Sequence, residues 1–400
     1  MKVGIDVRCL EEENVSGVGE YTLELLTNVL REDKENEYIL FSNSFRKKNK
    51  HLRRLEKFPN AKLKKFRFPN KIFNLLLWYA GFPKIDKLIG GADLFFAPNI
   101  NFISLSKNCP LVLTFHDLSF ERYPEFFSKK GRLWHFYFVN PRKLSRMAKK
   151  IIAVSESTKK DLIDLYGTGE QKIRLIHHGI GPKYRALDEN NAGLAKARKK
   201  YNLPEKFILF LGNIEPRKNI FSVLAAYLKL RKNNPKLEKY KLVIIGDFGL
   251  SSSDIIGEAK NSKFRDDIIF AGYIKERDKP YIYNLASLFV YPSFFEGFGL
   301  PVLESMSCGT PVICSNGSSL PEITGDAAIL IDSLRADELE KSMAEALLDK
   351  DLQKKMKSKG LRRAESFEWK KCAEETINIF KEISNEKNKR NSGEIIKLNK

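Results

Sequence analysis

Four short clusters bring together residue types that can handle an anionic, hydroxyl-rich ligand. The longest runs from Ser293 to Val312, SFFEGFGLPVLESMSCGTPV. Its Gly-Phe-Gly turn leads into a helix with Pro301 in the first turn, where a missing N–H costs nothing. The N–H groups of Phe298, Gly299 and Leu300 stand at that helix start and would point at an anion. Glu296 lies in the loop and Glu304 about two turns later. A carboxylate repels phosphate, so both suit hydrogen bonds from neutral hydroxyls, as in a sugar or ribose. The second cluster, Gly212-Asn213-Ile214-Glu215-Pro216-Arg217-Lys218-Asn219, puts two adjacent cations at a helix start. Added to the positive end of the helix, Arg217 and Lys218 suit a diphosphate. In the third, Thr114-Phe115-His116-Asp117-Leu118, a His-Asp pair closes an apolar strand. The imidazole can meet a sugar hydroxyl or a developing charge, or serve as a satisfied structural histidine. The fourth is Ser16-Gly17-Val18-Gly19-Glu20-Tyr21. Gly17 and Gly19 let backbone amides approach an anion closely, and they also read as a flexible turn. The dinucleotide fingerprint fails here, because Thr22 stands where its third glycine belongs.

Elements that must position these loops alternate along the chain. Strands are predicted at Lys2–Val7, Glu37–Phe41, Leu63–Phe68, Leu94–Ala97, Leu111–Phe115, Lys150–Val154 and Lys172–Ile176, with helices between them such as Val18–Arg31 and Arg132–Lys149. These strands are nearly all apolar, as a parallel sheet covered on both faces requires. The pattern lapses over Gly181–Leu203, which is polar, carries Pro182 and reads as a connection ahead of Pro204. Alternation restarts with strands at Lys206–Leu211, Lys241–Ile245, Asp267–Phe270 and Leu288–Tyr291. Helices from Ala336 to about Lys387 close the chain, and Asn388–Lys400 reads as a solvated tail. The fold class is therefore α/β, with two doubly wound Rossmann-like domains. The expected organisation is residues 1–185, residues 186–368, a C-terminal helix 369–387 packing back on the first domain, and a frayed tail 388–400. Two such domains hold a ligand in the cleft between them, outside the C-terminal ends of the strands.

Composition sets outer limits. The chain has 400 residues, enough for two domains, and a formal net charge of +20. Residues 1–200 carry 38 basic and 22 acidic residues, so most of the excess lies in the first half. No apolar run reaches the roughly 18 residues of a membrane-spanning helix. The opening MKVGIDVRCL enters a strand pattern directly, so no signal peptide is expected there. Five scattered cysteines, Cys9, Cys109, Cys308, Cys314 and Cys372, form no C-x-x-C pair and suit a reducing cytoplasm. The five histidines do not cluster with them at metal-ligand spacing, so no metal is expected.

Together the four clusters resemble the retaining glycosyltransferases of family 4. Glu296 and Glu304, within EGFGLPVLESMSCGTPVI, match the family's Glu-x7-Glu pattern. GNIEPRKN resembles its diphosphate loop, VSGVGEY its glycine-rich first loop, and TFHDLSFERYPEFF its His-containing loop. The stretch Ser318-Ser319-Leu320-Pro321-Glu322 continues the likeness, which covers the chain to about residue 385. The resemblance implies the GT-B architecture, two Rossmann-like domains facing across a cleft. It implies transfer of a hexose from a nucleotide-sugar donor with retention at the anomeric carbon and no metal. Residue by residue, Arg217 and Lys218 would bind the donor diphosphate, Glu296 the sugar hydroxyls and Glu304 the ribose. Backbone amides at Phe298, Gly299 and Leu300 would meet sugar or phosphate oxygens, and His116 would contact the sugar near the reaction centre. Gly17 and Gly19 would line the cleft, and Gly272-Tyr273-Ile274 would lie near the base. Many relatives carry Arg where this chain has Asn213, which leaves Arg217 and Lys218 to supply the charge. HDLSFERYPEFF, EPRKN and SSLPE most resemble mannosyltransferases, which favours GDP-mannose over UDP-hexoses.

Arg46–Lys71 holds twelve Lys/Arg and a single acid, Glu56, and is followed by IFNLLLWYAGF. Cations beside an aromatic-rich apolar segment suit attachment to an anionic inner-membrane surface through Arg46–Phe82 and a lipid-linked or glycan acceptor. The same pattern also fits a buried helix with a solvated charged face. A sugar-nucleotide epimerase or a phosphorylase of the same architecture is an alternative, although no cofactor lysine for a phosphorylase is identifiable. A nucleic-acid-binding protein would account for the basic charge but leaves the diphosphate loop and Glu296/Glu304 unexplained, so no nucleic acid is expected.

Overall fold

The computed structural model describes residues 1–12, 16–133, 139–247 and 252–391. The chain divides into two compact units, Met1–Gly179 with Glu368 onward, and Ile180–Phe367. The seam falls between Gly179 and Ile180, where the sequence reading places it after residue 185.

The first unit is built on a seven-stranded parallel sheet. Its strands are β1 (Lys2–Asp6), β2 (Glu37–Asn43), β3 (Ala61–Phe66), β4 (Leu94–Ala97), β5 (Leu111–Phe115), β6 (Lys150–Ala153) and β7 (Ile173–Leu175), in the order β3-β2-β1-β4-β5-β6-β7. Successive side chains point to opposite faces, so one strand feeds two cores. Leu94 and Phe96 of β4 join Val3, Ile5, Tyr38 and Leu40 on one face. Phe95 and Ala97 join Ile39, Phe41 and Leu113 on the other. The first face is covered by two helices, Gly17–Glu32 and the C-terminal Trp369–Asn391. Ser16 caps the former, its hydroxyl accepting from the Gly19 N–H at 3.4 Å. The C-terminal helix turns Cys372, Ala373, Ile379, Phe380 and Ile383 inward, and the Phe380 ring packs, tilted, 5.5 Å from that of Phe96. Each buried Ile or Phe of this set gains about 1.5–3 kcal/mol from burial.

The second unit repeats the plan with six strands. They are β8 (Lys206–Leu211), β9 (Tyr240–Ile245), β10 (Ile268–Gly272), β11 (Leu288–Tyr291), β12 (Val312–Ser315) and β13 (Ile329–Ile331), ordered β10-β9-β8-β11-β12-β13 and parallel throughout. In both sheets the order reverses beside the first strand, at β1/β4 and at β8/β11. Such a switch point leaves a crevice at the carboxyl ends of the strands, where doubly wound folds bind ligands.

Three expectations need correction. The helix expected over Arg132–Lys149 is not continuous, since Asn140 adopts a left-handed conformation and caps a separate helix, Pro141–Met147. Residues 134–138 of that expected helix lie outside the described residues. The polar stretch Gly181–Leu203 is not wholly a connection, because Ala192–Lys200 is helical, capped by Asn191. Its Lys and Arg are good helix formers, and only Leu194 and Ala197 are buried, so the apolar signal was thin. The last helix continues to Asn391, beyond the start expected for the tail, and residues 392–400 lie outside the described residues.

Gly179 sits where the C-terminal helix begins. A Cβ there would lie 2.0 Å from the backbone nitrogen of Trp369. Gly179→Ala should therefore push the helix start outward and cost at least about 1–3 kcal/mol. A lowered urea midpoint, followed by far-ultraviolet circular dichroism, is the expected result.

Candidate active site

In the second unit the loops after β8 and β11 are laced together at the switch point. The Phe294 N–H donates to the Arg217 carbonyl at 2.9 Å, and the Ser293 hydroxyl oxygen lies 3.1 Å from the same carbonyl. Asn219, left-handed at φ 55, donates its side-chain amide to the carbonyls of Pro292 and Ser333. Arg217 donates to the Phe295 carbonyl at 2.6 Å. This lacing brings Arg217, Lys218 and Glu296 into one buried cluster. Lys218 Nζ lies 2.6 Å from Glu296 Oε1 and donates to the Tyr291 hydroxyl at 2.6 Å. Arg217 is 3.4 Å from Glu296 Oε2 and 3.5 Å from Glu215. The Ser293 hydroxyl donates to Glu296 Oε1 at 2.6 Å, and the Glu296 N–H donates to Ser318 Oγ.

Electrostatics follow from this geometry. Burial alone would raise the Glu296 carboxyl, yet Lys218 and Arg217 hold it down at about 2. Burial and the neighbouring Arg217 lower the Lys218 ammonium, while Glu296 works against them. An ammonium has three protons, and two are spent on Tyr291 and Glu296, which leaves one for a ligand oxygen.

Gly299 sits at φ 94 directly before the helix Leu300–Ser307, with Pro301 in its first turn. A Cβ there would lie 2.5 Å from Leu320 Cδ2, so both backbone and space require glycine. The amides of Gly299 and Leu300 stand at the positive end of this helix, and Phe298 packs inward edge-on to Phe367. Deeper in the helix, Glu304 is buried and accepts from the Tyr283 hydroxyl at 2.8 Å. Burial raises its carboxyl above the ordinary range, and Glu276 adds to the rise while Lys279 opposes it. Glu276 itself is held at about 2: burial pushes it up, but Lys279 and Lys183 overcome that. The Tyr184 hydroxyl also donates to it at 2.6 Å. At the end of β10, Gly272 is left-handed and its carbonyl accepts from Gly246. Tyr273 is half exposed, whereas the Ile274 side chain is buried, so only its backbone is presented. A Cβ on Gly246 would lie 1.9 Å from the Gly212 carbonyl oxygen, so the loops after β8 and β9 approach through bare backbone.

In the first unit, the other two clusters meet through Tyr21. Its ring packs 4.7 Å from His116, edge to face, and its hydroxyl pairs with Thr114 Oγ1 at 3.2 Å. His116 Nε2 lies 2.8 Å from the Pro98 carbonyl, which can only accept, so Nε2 carries the hydrogen. Burial lowers the imidazole's affinity for a proton, which keeps the ring neutral and leaves Nδ1 as an acceptor. The Gly19 N–H is spent on the Ser16 cap, so that glycine is not the open anion donor the sequence suggested. A Cβ at Gly17 would meet nothing within 4 Å. Val15, the first residue of VSGVGEY, lies outside the described residues.

Sequence reasoning missed the partners that set these groups: Tyr291 and Ser293 for the ion pair, Tyr283 for Glu304, and Tyr21 for His116. A tyrosine closing an apolar strand, as at Tyr291, was the available signal. Removing one member of a buried pair strands the other charge. Glu296→Gln and Lys218→Met should each destabilise the chain by about 3–5 kcal/mol. The double variant should lose less than the sum by about 0.5–3 kcal/mol, read from a denaturation cycle. The folded chain also binds the Glu296 proton more weakly than the unfolded chain does. The contribution of Glu296 to stability is thus complete above the ordinary 4.5 and fades as pH falls towards about 2. Acid titration of the Glu296→Gln variant should show a shallower loss of stability over that window.

Comparison with known proteins gives the following. The family described as Glycosyltransferase Family 4 matches residues 15–184, and Glycosyl transferases group 1 matches residues 195–363. O-antigen chain mannosyltransferase B of Escherichia coli is 35% identical over 272 residues, covering 68% of this chain and 70% of that protein. Serotype-specific mannosyltransferase WbdA of Escherichia coli is 30% identical over 257 residues, which are 61% of this chain and 30% of that longer protein. Among solved structures, Anabaena HepE in complex with UDP and glucose superposes with a TM-score of 0.70 at 18% identity, covering 95% of this chain and 99% of that one.

Proposed function

We propose, for a chain that belongs to glycosyltransferase family 4 and carries the GT-B fold, that it is a retaining, metal-independent mannosyltransferase of cell-envelope polysaccharide synthesis. It moves mannose from GDP-mannose to a glycan or lipid-linked glycan and works in the cytoplasm. The observation that carries the reading is the Arg217–Lys218–Glu296 cluster at the β8/β11 switch point, beside the start of the helix Leu300–Ser307. The mannosyltransferase named above, at 35% identity, supports the choice of sugar.

The chemistry follows from charge. The acceptor hydroxyl attacks the anomeric carbon on the face that the diphosphate leaves. The carbon–phosphate-oxygen bond breaks as the new glycosidic bond forms, and the hydroxyl proton passes to a diphosphate oxygen. Negative charge grows on the departing diphosphate. Arg217, the remaining proton of Lys218 and the amides of Gly299 and Leu300 are the donors that meet it, in a site fixed before reaction. Glu296 takes hydrogen bonds from the sugar hydroxyls, and its pairing with Lys218 keeps it ionised for that task. Glu304, next to Tyr283, faces the ribose, with Gly272-Tyr273-Ile274 towards the base. His116 Nδ1 accepts from a sugar hydroxyl near the reacting carbon, and Gly17 gives the donor open backbone to approach.

Binding to the native state raises its melting point, so a thermal-shift panel tests the donor. GDP-mannose should raise the melting point more than UDP- or ADP-sugars, and no shift with any sugar nucleotide would sink the reading. Arg217→Ala should lower kcat by about 10²–10³, the cost of one lost charge-stabilising donor. The α-anomeric product from GDP-α-mannose, read by NMR, tests retention.

A further inference from the structure

We propose that the first unit inserts a shallow apolar wedge, ringed by unpaired cations, into an anionic lipid surface, and that its acceptor reaches it along that surface. This rests on the glycosyltransferase reading and adds the physical form of the acceptor: an amphiphile presented by a leaflet.

The wedge lies beyond the carboxyl ends of β2 and β3. The helix Asn70–Leu75 continues into a wider π-helical turn, Leu76–Ala80. This segment is split by side: Phe73 and Leu77 are buried, while Ile72, Leu75, Leu76 and Tyr79 face solvent, Tyr79 at 71% exposure. Phe82 continues the outward face at 63%, and Phe45, at 65%, projects after β2. Asn43 ties these parts together. Its side chain donates to the Phe68 carbonyl and to Asn70 Oδ1, and accepts from the Phe68 N–H. The Ser44 N–H donates to the Phe66 carbonyl. Phe66, Phe68 and Phe73 stack at 5.8 and 5.3 Å, which joins the exposed Phe68 to the buried Phe73. Isolated exposed apolar residues are ordinary on a protein surface, but a contiguous set on one segment marks an interaction site.

Charge identifies the occupant. Of the twelve cations between Arg46 and Lys71, Lys48, Arg54, Lys62 and Lys65 pair with acids. Arg46, Lys47, Arg67 and Lys71 have no acidic partner among the described residues. Each of these four sits beside an exposed apolar residue in sequence: Arg46 and Lys47 after Phe45, Arg67 before Phe68, Lys71 before Ile72. Apolar side chains flanked by long cations are what a lipid interface accepts: the rings enter the acyl boundary while the charges remain at the headgroups. A protein partner would need its own apolar patch with an acidic rim. An anionic leaflet offers both at once. Because every strand of this sheet runs parallel, the wedge leaves the same edge as His116 after β5.

Flotation of the full chain with vesicles tests this. Vesicles of phosphatidylcholine with 30% phosphatidylglycerol should carry the chain at least tenfold better than phosphatidylcholine alone, and salt should weaken the binding. Each cation near an anionic leaflet is worth about fivefold in partition. Replacing Arg46, Lys47, Arg67 and Lys71 with Glu should therefore abolish flotation. Leu76→Glu with Tyr79→Glu, both at exposed positions, should abolish it as well, with GDP binding and the melting point unchanged. Equal flotation on both vesicle types would overturn the proposal. So would full binding by the Leu76→Glu/Tyr79→Glu variant, which would reduce the contact to charge alone. GDP binding separates this from the donor reading: loss of flotation with GDP binding intact leaves the glycosyltransferase assignment standing.

Discussion

A buried ammonium against a buried carboxylate, Lys218 on Glu296 at 2.6 Å, is the contact around which the second unit's site is arranged. Neither charge is stable there alone. Their mutual attraction, with further hydrogen bonds from Lys218 to Tyr291 and from Ser293 to Glu296, permits two ionised side chains at the base of a crevice. The pair also joins the loop after β8 to the loop after β11, which are 78 residues apart in sequence. A ligand entering the switch point thus meets a positive and a negative group already fixed relative to each other. Fixing them before binding removes the reorganisation that flexible side chains would need.

The first unit uses apolar contact to the same end. Tyr21 wedges against His116 and also packs 4.5 Å from His178, which stacks on Trp369 at 5.9 Å. The imidazole proposed to face the sugar is therefore held by a row of rings, with one hydrogen bond, to Pro98, setting its tautomer. Polar lacing suits a site for a charged diphosphate. Ring packing suits one where a neutral acceptor atom must be aimed.

Much of this was legible in the sequence, for reasons that can be named. β8 and β11 are apolar runs bounded by turn residues, and both fall where the pattern predicts them. The residues that approach one another in the second site, Arg217, Lys218 and Glu296, were also visible as types. Their pairing was not, because proximity across 78 residues leaves no periodic trace. The sequence suggested cations free for phosphate, whereas in the folded chain both already face Glu296 and Lys218 also donates to Tyr291. The helix Ala192–Lys200 escaped notice because it buries too little apolar surface to show a stripe. The break before Pro141 has its own signal in Asn-Pro, a common turn start, which the helical pattern around it obscures. Gly17 and Gly19 looked alike on paper, yet one faces open space and the other serves a cap.

The C-terminal helix has a consequence for how the chain is made. The first unit's core includes Trp369, Phe380 and Ile383, which lie beyond the whole of the second unit in sequence. On the ribosome, β1 to β7 emerge early, but one face of their sheet is covered only by the helix Gly17–Glu32 until the final helix is synthesised. The second unit, contiguous from Ile180 to Phe367, can complete its core while the first still lacks Trp369, Phe380 and Ile383. Order of synthesis and order of completion are thus reversed, and a chain cut short before Trp369 would release a finished second unit tethered to an unfinished first.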